Sequence, residues 1–561
     1  MILSRLRAFF KSLLKLNYEK GEFKIMAHTR LDTIRQATRD YLASIKGATP
    51  APADVEEGIL ALTRNYFDLY NAAAAKGAKW RIPTELMPIQ VAEIIKSLYS
   101  VALVELVDKG GPELRTQSAV LGIYQESGEY EGLYDCTEET FEQLAGGYCY
   151  GMSAKDRTEM IKHLRLIAPH VKLCRKPNLI AVNNGIFDYN KKVLMPFTPD
   201  FVFVTKSRID YNPNARNVVI HNPVDNTDWD VENWVCSLSD DPEIVNTLWE
   251  VMGAIIRPNV RWNKSAWFYA ESGNNGKGTL CELMRNLCGD GTAVSLPLAD
   301  MSKDFLLEPL INASAIIVDE NDVGTYIDKA ANLKAIITND VIQINRKFKT
   351  PITYQFHGFM VQCLNELPRV KDKSDSFFRR QLFIPFTKCF TGAERRYIKD
   401  DYLSRKEVLE YVLYKVLNMN YYELSVPETC KDALQEYKEF NDPVRQFMAE
   451  IMPQLQWDFV PFTFLRDLYT AWYKKNVGDK DCSKSMKTLV KDILNILPEY
   501  PDWKCDDKDK SIRPGNKMDK PEWLIDEYKL DDWYSQTYKG PDRDKKCCPS
   551  LKAYYRGIQR V

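Results

Sequence analysis

The sequence predicts a chain built around an α/β sheet, with mainly helical segments before and after it. Between about residues 225 and 390, short β-like apolar runs alternate with helical runs, as in strands joined by crossover helices. From about residue 26 to 180, apolar residues recur at helical spacing in stretches such as PIQVAEIIKSLYSVALVELV, and helices return after Phe390. The 561 residues exceed what one hydrophobic core usually supports, so we expect several domains.

The composition excludes several classes of protein. The 76 basic and 77 acidic residues nearly cancel, so the chain is not expected to coat nucleic acid through bulk charge, and any DNA contact must be local. The 13 cysteines form no C-x-x-C pair, which argues against a zinc site or a disulfide framework and fits a reducing cytosol. The opening MILSRLRAFFKSLLKL is too short and too basic for a membrane span, so we expect a cytoplasmic protein. Either Met1 or Met26 can be its start.

One segment, AWFYAESGNNGKGTLCELMRNLCG at 266–289, places a strand, a glycine-rich loop and a helix in succession. In this order, backbone N–H groups and a helix N-terminus face a phosphate group, and Lys277 supplies a mobile charge for the β- and γ-phosphates. The residues expected around the phosphates are Gly273, Asn274, Asn275, Gly276, Lys277, Gly278 and Thr279. An ordinary glycine turn is the alternative interpretation.

This loop departs twice from the usual G-x-x-x-x-G-K-[ST] pattern. Glu271 replaces the first glycine, and Gly278 occupies the position of the hydroxyl residue that binds magnesium. Thr279, one residue later, is therefore our candidate magnesium ligand.

A second apolar run, at 315–318, ends in two adjacent carboxylates, Asp319 and Glu320. Ligands of open α/β sheets bind at the carboxyl ends of the strands, where this pair is expected to lie. Asp319 would hold Mg²⁺ through water, and Glu320 would polarise an attacking water. Taken alone, the pair could equally be a solvated acidic turn, but its position downstream of the loop favours a joint role.

A third strand candidate, at 359–364, ends in Asn365, and the run SFFRRQLFIPF follows it. An amide at a strand end can orient a water beside the γ-phosphate. Arg379 and Arg380 are candidate arginine fingers, because a planar guanidinium stabilises phosphoryl oxygens. Surface salt bridges are the alternative role for an isolated arginine pair.

The order GNNGKGT, IIVDEND, QCLNELP and FFRRQLFIPF resembles that of the superfamily 3 helicases, in the poxvirus-type branch shared with phage and plasmid primase-helicases. The resemblance covers about residues 175–560, because NLIAVNNGIFDYNKKVL resembles the module that precedes the motor in that branch. It implies an AAA+-like P-loop ATPase that binds ATP and Mg²⁺ and moves 3′ to 5′ on single-stranded DNA. The resemblance further implies a ring-shaped homo-hexamer, in which an arginine of the neighbouring subunit completes each ATP site.

By position in this resemblance, Lys277 takes the Walker A role, Asp319 and Glu320 take the Walker B roles, and Asn365 takes the sensor role. The interval between the acidic pair and Asn365 holds a β-hairpin that projects into the ring channel in that family. The Lys-His pair of papillomavirus-type helicases corresponds here to Lys347 and Phe348.

The hairpin is the first candidate DNA contact. A cation pairs with phosphate and an aromatic ring stacks on a base, which gives grip without sequence preference. We expect the four tip residues Arg346, Lys347, Phe348 and Lys349 to contact single-stranded DNA. An exposed basic hairpin with its phenylalanine packed on the domain is the alternative.

The C-terminal part predicts two helices, at 462–473 and 483–497, followed by strand-like segments. This order resembles the winged-helix domain common at this end of phage relatives, which would place Lys484, Lys487 and Lys491 against duplex DNA. A solvated lysine face is nearly as good an interpretation.

The expected domains are a helical N-terminal region (1–90), a poxvirus-type linker module (91–220), a superfamily 3 ATPase domain (225–390), a helical lid (391–441) and a winged-helix-like domain (442–561). The leading hypothesis is a replicative helicase of a phage or mobile element, in the bacterial host cytoplasm, that acts on single-stranded and forked DNA with a separate primase or polymerase. An origin-binding initiator ATPase and the helicase half of a primase-helicase system are the alternatives. Only about 180 residues precede the linker strands, with no carboxylate-rich cluster, so priming by this chain is not expected.

Overall fold

The structure is a computed structural model that describes residues 29–48, 50–75, 77–107, 118–289, 291–347, 349–392, 394–476 and 484–561. Both candidate start residues and Phe348 lie outside the described residues, as does the side chain of Lys349, so the expectations about them stay predictions. None of the helices in the described part is long and apolar enough to cross a membrane.

The N-terminal part combines helices with a small sheet. Its elements are α1 (Arg30–Ser44), α2 (Pro52–Ala73), α3 (Pro88–Leu98), β1 (Val101–Glu105), β2 (Val120–Tyr124), β3 (Tyr134–Asp135), α4 (Glu138–Tyr148), α5 (Ala154–Ile167) and β4 (His170–Lys172). The strand order is β3-β2-β1-β4, and β4 pairs parallel with β1. One apolar cluster joins Ala37 to Ala168, so the boundary expected at residue 90 falls inside α3 and inside a shared core.

The helix expected through PIQVAEIIKSLYSVALVELV is wrong in its second half. The structure ends α3 at Leu98 and begins β1 at Val101. The first four residues of β1 are buried, and a short, fully apolar run looks alike in a buried strand and in a buried helix. The β-branched Val101 and Val104 favour the strand.

The segment before the central sheet forms short strands, as the Asn-Gly and Asn-Pro turns predicted. These are β5 (Leu179–Val182), β6 (Gly185–Asp188) and β7 (Val193–Met195) in one antiparallel meander, and β8 (Ile220–Asn222) and β9 (Thr227–Trp229) in a hairpin. The core of this segment is continuous with the next one, through Phe187 and Tyr189.

The central region alternates strands and helices. Its elements are α6 (Val231–Ser237), α7 (Pro242–Ile255), β10 (Ser265–Tyr269), α8 (Lys277–Cys288), β11 (Ala293–Val294), β12 (Ala315–Val318), β13 (Tyr326–Ile327), α9 (Ala331–Ile337), β14 (Val341–Arg346), β15 (Lys349–Gln355), β16 (Phe359–Leu364), β17 (Arg369–Val370), α10 (Asp375–Phe378) and β18 (Gln381–Pro385). Five of the strands form one parallel sheet in the order β11-β12-β16-β10-β18. The three strands that the sequence predicted therefore lie side by side.

Alternate residues of the central strands enter two different apolar clusters. In β10, Ala266 and Phe268 belong to the cluster that also holds the meander and α7, whereas Trp267 belongs to the cluster on the other face, where its ring centroid lies 5.8 Å from that of Tyr437. Successive side chains of a strand point to opposite faces, so a parallel sheet covered on both sides reads as a continuous apolar run.

The helices after the sheet are α11 (Arg396–Asp400), α12 (Lys406–Asn418) and α13 (Glu428–Asn441). Val412 and Leu417 of α12 are fully buried in the core that also holds α7 and α8. Tyr437 of α13 is buried against the opposite face of the sheet. The segment expected to be a lid thus wraps the sheet and packs on both of its faces.

The C-terminal part has its own core. Its elements are α14 (Pro443–Ile451), β19 (Phe459–Pro461), α15 (Phe462–Asn476), α16 (Met486–Ile496), β20 (Trp503–Lys504), α17 (Leu524–Glu527), α18 (Arg543–Lys546) and β21 (Gly557–Arg560). The three strands form an antiparallel sheet in the order β19-β21-β20. The two predicted helices and the predicted terminal strand are confirmed within a few residues, although Ser483 lies outside the described residues.

Arg257 ties three of these segments together. Its guanidinium is 1% exposed and lies over the rings of Tyr189, Trp262, Tyr421 and Tyr422, with centroid distances of 3.6 to 5.1 Å. One of its N–H groups donates to the carbonyl of Tyr421 at 2.9 Å. Desolvated cation–π contacts of this kind are worth about 2 kcal/mol each.

Candidate functional site

The glycine-rich loop lies at the carboxyl end of β10, between β16 and β18. Gly276 ends the loop with φ of 87°, a left-handed conformation that favours glycine, and it caps α8. A Cβ at Gly276 would lie 2.6 Å from the side chain of Leu238. The left-handed conformation therefore favours glycine here, whereas the Leu238 side chain could move aside for a larger residue.

Lys277 connects the loop to the neighbouring strand. Its Nζ donates to the carbonyl of Ala270 at 3.2 Å, to the carbonyl of Leu364 at 2.9 Å and to Oδ1 of Asn365 at 2.9 Å. The side chain is buried, and this desolvation lowers the pKa of Lys277. The structure therefore brings together the candidate Walker A lysine and the candidate sensor amide.

The two loop asparagines hold the loop in shape. The buried Asn275 accepts from the backbone N–H of Lys277 at 3.3 Å and donates to the carbonyl of Ser272. Asn274 donates through its amide to Glu394 at 2.7 Å, and its carbonyl accepts from the backbone N–H of Phe390 at 2.7 Å. Asn274 thus fastens the loop to the segment that follows β18.

The acidic pair lies at the carboxyl end of β12, on the same edge of the sheet. Asp319 and Glu320 are both exposed. Asp319 accepts a hydrogen bond from Arg285 of α8; burial opposes the charged form of that guanidinium, but the bond to Asp319 raises the pKa of Arg285 overall. Sequence reasoning missed Arg285, since no motif marks it.

Asn321, next to the acidic pair, was also missed as a supporting residue. It is buried, and its amide donates to Oε1 of Gln362 at 2.9 Å and to the carbonyl of Cys363 at 3.0 Å. These bonds fix the end of β12, which the two carboxylates follow, against β16, which Asn365 follows.

Gly278 and Thr279, the two positions considered for a magnesium-binding hydroxyl, face different sides of the loop. Gly278 is seven residues before Arg285, so it shares the helical face that looks toward Asp319. A Cβ at Gly278 would meet nothing within 4 Å. Thr279 instead lines a cavity on the other side of the loop. The role of Thr279 as a metal ligand stays a prediction.

Within the described ranges, no group of three or more His, Cys, Asp or Glu side chains is arranged to hold a metal ion. Mg²⁺ in phosphoryl-transfer sites is bound by one or two carboxylates together with the substrate's phosphates. Asp319 at the strand end suits such a site.

The arginine pair lies at the opposite edge of the sheet. Arg379 and Arg380 directly precede β18, whose first residue pairs with Ser265, the first residue of β10. Strand β10 has five residues, so roughly 16 Å separates this edge from the loop. Neither arginine can therefore reach the phosphate loop of its own chain.

The two arginines also differ from each other. The Arg380 guanidinium donates to the carbonyl and, at 3.0 Å, to the hydroxyl of Ser376, and burial lowers the pKa of Arg380. The side chain of Arg379 is exposed. Of the pair, Arg379 is the more exposed to solvent.

The interval between the acidic pair and Asn365 forms the expected hairpin. Strands β14 and β15 pair antiparallel from Val341 with Gln355 to Arg346 with Lys349, with a bulge near the tip. Ile344 and Ile352 on its inner face are buried in the core, and Lys347 at the turn is exposed. Arg346 donates twice to the carbonyl of Thr350, which stiffens the tip.

The three C-terminal lysines are not equivalent. Lys487 and Lys491 are exposed on α16, whereas Lys484 pairs with Asp492 at 2.6 Å. Leu489 and Ile493 are buried on the opposite face, as predicted. Two of the three candidate DNA-binding lysines are therefore presented to solvent without an acidic partner among the described residues.

A cavity of about 720 Å³, which we call the loop-side cavity, opens beside the loop. Its walls come from α6, from the loop and from the segment after β18, and they include Leu238, Thr279, Trp229, Trp234 and Phe390. Sequence reasoning did not find it, because its residues come from three separate stretches of the chain, 228–238, 274–279 and 390–400, that carry no shared motif.

Two stretches of the chain match known families. Residues 118–249 match the family described as D5 N terminal like, and residues 268–380 match a family of unknown function, DUF5906. Each match covers less than half of the chain. Both fit the phage primase-helicase group of replication proteins.

Two solved structures of the NrS-1 C-terminal region, both in the apo form, are similar to the chain. One is 12% identical with a TM-score of 0.41, and the other is 14% identical with a TM-score of 0.42. Each comparison covers 85% of this chain and 100% of the other. No curated protein matched the sequence. The family matches, rather than these distant likenesses, bear on function.

Proposed function

We propose that this protein is an ATP-dependent DNA helicase of the superfamily 3 type that acts in replication as a ring-shaped oligomer. The observation that carries the proposal is the contact between Lys277 Nζ and Asn365 Oδ1 at 2.9 Å, at the sheet edge where Asp319 and Glu320 also lie. A phosphate-binding cation, a water-orienting amide and two carboxylates thus meet where α/β sheets bind ligands.

Each group has a distinct task in ATP hydrolysis. The backbone of 273–279 and Lys277 would bind the β- and γ-phosphates, and Glu320 would accept a proton from the attacking water that Asn365 orients. Asp319 is the carboxylate that would hold Mg²⁺, and this ion neutralises charge on the phosphates when bound. Because Arg285 contacts Asp319, that carboxylate must exchange partners as nucleotide binds.

Two further features support a ring that moves on DNA. Arg379 lies about one strand length from the loop of its own chain, so it would complete the site of a neighbour. The hairpin tip is a cationic turn on a rigid base, which is suited to sequence-tolerant contact with a DNA backbone. The family matches agree with a role in replication.

The test compares wild-type protein with Lys277→Ala in ATP hydrolysis and in displacement of a strand from a forked DNA substrate. We expect wild-type protein to displace the strand only with ATP, and Lys277→Ala to lose both activities while keeping its unfolding temperature within a few degrees. Hydrolysis near the wild-type rate in Lys277→Ala would refute the loop assignment.

An origin-binding initiator is the second candidate. The C-terminal part has a helix, a strand and two helices, then two further strands with two short helices between them. This order resembles that of a winged-helix domain, and the resemblance is what supports duplex binding. ATP hydrolysis with specific duplex binding but without strand displacement would favour this candidate over the helicase.

A further inference from the structure

We propose that Arg285 competes with Mg²⁺ for Asp319, so that this carboxylate holds the metal only together with a bound nucleoside triphosphate. The inference rests on the proposed function, because it takes Asp319 to be the carboxylate that binds the metal. It assigns a role to Arg285, which belongs to none of the motifs that define the site.

The contact places a positive charge where the metal is expected. Asp319 follows β12 at the carboxyl edge of the sheet, and a guanidinium nitrogen of Arg285 donates to its Oδ1. Mg²⁺ in phosphoryl-transfer sites is bound by one or two carboxylates together with the phosphates of the substrate. Two cations on one carboxylate repel each other, and each weakens the hold of the other. Arg285 and Mg²⁺ therefore oppose each other at Asp319.

The glycine-rich loop gives this competition more weight. The usual pattern of such loops supplies a magnesium-binding hydroxyl at the position of Gly278. Glycine contributes no side-chain ligand there, and a Cβ at this position would meet nothing within 4 Å. Asp319 therefore provides a larger share of the metal's contacts with the protein, and whatever occupies Asp319 has a larger effect on the metal.

A second acceptor remains for the displaced guanidinium. A different terminal nitrogen of Arg285 donates to Oε2 of Glu282 at 3.2 Å, one turn earlier on the same helix. The side chains of Arg285 and Asp319 are 29% and 41% exposed, so water also solvates both groups when they separate. Separation therefore leaves no buried, unpaired charge, and the metal–nucleotide complex can displace Arg285 at a small cost.

Arg285 lies away from the position expected for the phosphates. It comes eight residues after Lys277 on α8, which corresponds to about 12 Å along the helix axis. Removing Arg285 should therefore change the requirement for metal and leave metal-free nucleotide binding nearly unchanged.

The experiment measures binding of adenylyl imidodiphosphate, a non-hydrolysable ATP analogue, to the full-length protein by calorimetry over a series of Mg²⁺ concentrations. The readout is the Mg²⁺ concentration that gives half of the metal-dependent gain in affinity. Arg285→Gln is expected to lower this concentration by about 2- to 5-fold, the effect of an ion pair of this exposure. Arg285→Lys, which keeps the positive charge, should need more Mg²⁺ than Arg285→Gln. Glu282→Gln should raise the concentration, because the guanidinium loses the acceptor that draws it away from Asp319.

The control is Arg466→Gln, which removes an ion pair with Asp467 in the C-terminal part and should leave the Mg²⁺ requirement unchanged. A higher requirement in Arg285→Gln would overturn the proposal, because Arg285 would then hold Asp319 in position for the metal. An unchanged requirement would overturn it as well. Both of these outcomes leave the proposed function standing. Wild-type protein that does not bind the analogue, or a metal-dependent gain that persists in Asp319→Asn, would instead contradict the site on which the proposed function rests.

Discussion

Lys277 is held by oxygen atoms with which a phosphate would compete. Its three acceptors lie at the carboxyl ends of the adjacent strands β10 and β16, and its burial lowers its pKa. The sequence was sufficient to predict that Lys277 and Asn365 follow strands of the same sheet, because each comes after an apolar run and belongs to a motif, while their roles stay predictions. It was not sufficient for Arg285, since the contact of Arg285 with Asp319 depends on how α8 packs beside β12.

Glu320→Gln is expected to bind ATP with nearly wild-type affinity and to hydrolyse it at least about 100-fold more slowly, because a general base contributes about that much or more. The side chain is exposed, so the fold should be unaffected. Binding and turnover are measured separately, with Asp322→Asn as the control at a nearby exposed carboxylate. A parallel loss of ATP affinity would assign Glu320 a different role.

Arg379→Ala is expected to abolish ATP hydrolysis in the oligomer, with a loss of about a thousandfold or more for a finger in trans. Arg380→Ala should chiefly lower the unfolding temperature, because Arg380 is bonded to Ser376. Mixing Arg379→Ala subunits with Lys277→Ala subunits should restore some activity, since some interfaces then carry neither defect. Failure of the mixture to exceed both parents would place the arginine outside the interface.

Among the elements, strands flanked by polar residues were the easiest to predict. Strands β12 and β16 end one residue before Asp319 and Asn365, where the apolar runs stop, and β10 ends two residues before Glu271. The helix at α8 was predicted to end at Gly289, which caps it with φ of 87°. Strand β1 was missed, because a short, fully apolar run does not distinguish a buried strand from a buried helix. Its parallel partner β4, at 170–172, also lies far along the chain. Pairings with distant strands are not encoded in local periodicity.

Lys347→Ala at the hairpin turn is expected to leave basal ATP hydrolysis largely intact, because the turn is remote from the loop motif. Stimulation by single-stranded DNA and strand displacement should fall sharply. The dependence of DNA affinity on salt should become shallower by about 0.7 in log–log slope for each DNA phosphate that the variant no longer neutralises. Lys399→Ala, an exposed lysine far from the hairpin in sequence, is the control. Wild-type displacement would remove the hairpin from the mechanism.

Glu522 gives the C-terminal part a pH dependence. It is fully buried, and burial raises its pKa although it accepts from the backbone N–H groups of Gln456 and Trp457. A raised folded-state pKa means that its contribution to stability is fully present below the unfolded pKa, about 4.3, and is lost as pH rises through the folded value. In urea unfolding, wild-type protein should therefore lose stability relative to Glu522→Gln as pH rises from about 4. A difference independent of pH would contradict this.

For the whole molecule, the sheet is a middle layer covered on both of its faces, while the C-terminal part has a core of its own. The meander, α7 and α12 lie on one face, and the N-terminal sheet and the hairpin lie against the other. Arg257 joins the meander to the loop after α12 through four aromatic rings. This arrangement was not predictable from the sequence, because a lone arginine after a helix gives no sign of an aromatic enclosure.

The two ends of the parallel strands also carry different groups, because the glycine-rich loop lies at one edge of the sheet, where the strands end, and Arg379 lies at the other, where they begin. Subunits that bring these edges together must join unlike surfaces, so a two-fold dimer, which repeats one patch on both partners, cannot make this contact. Such head-to-tail contacts close into a ring when the rotation between neighbours divides a full turn, and they grow into an open helix when it does not. Subunit number is then set by the angle between the two edges, so an insertion before β18 could convert rings into filaments without altering any residue that contacts ATP.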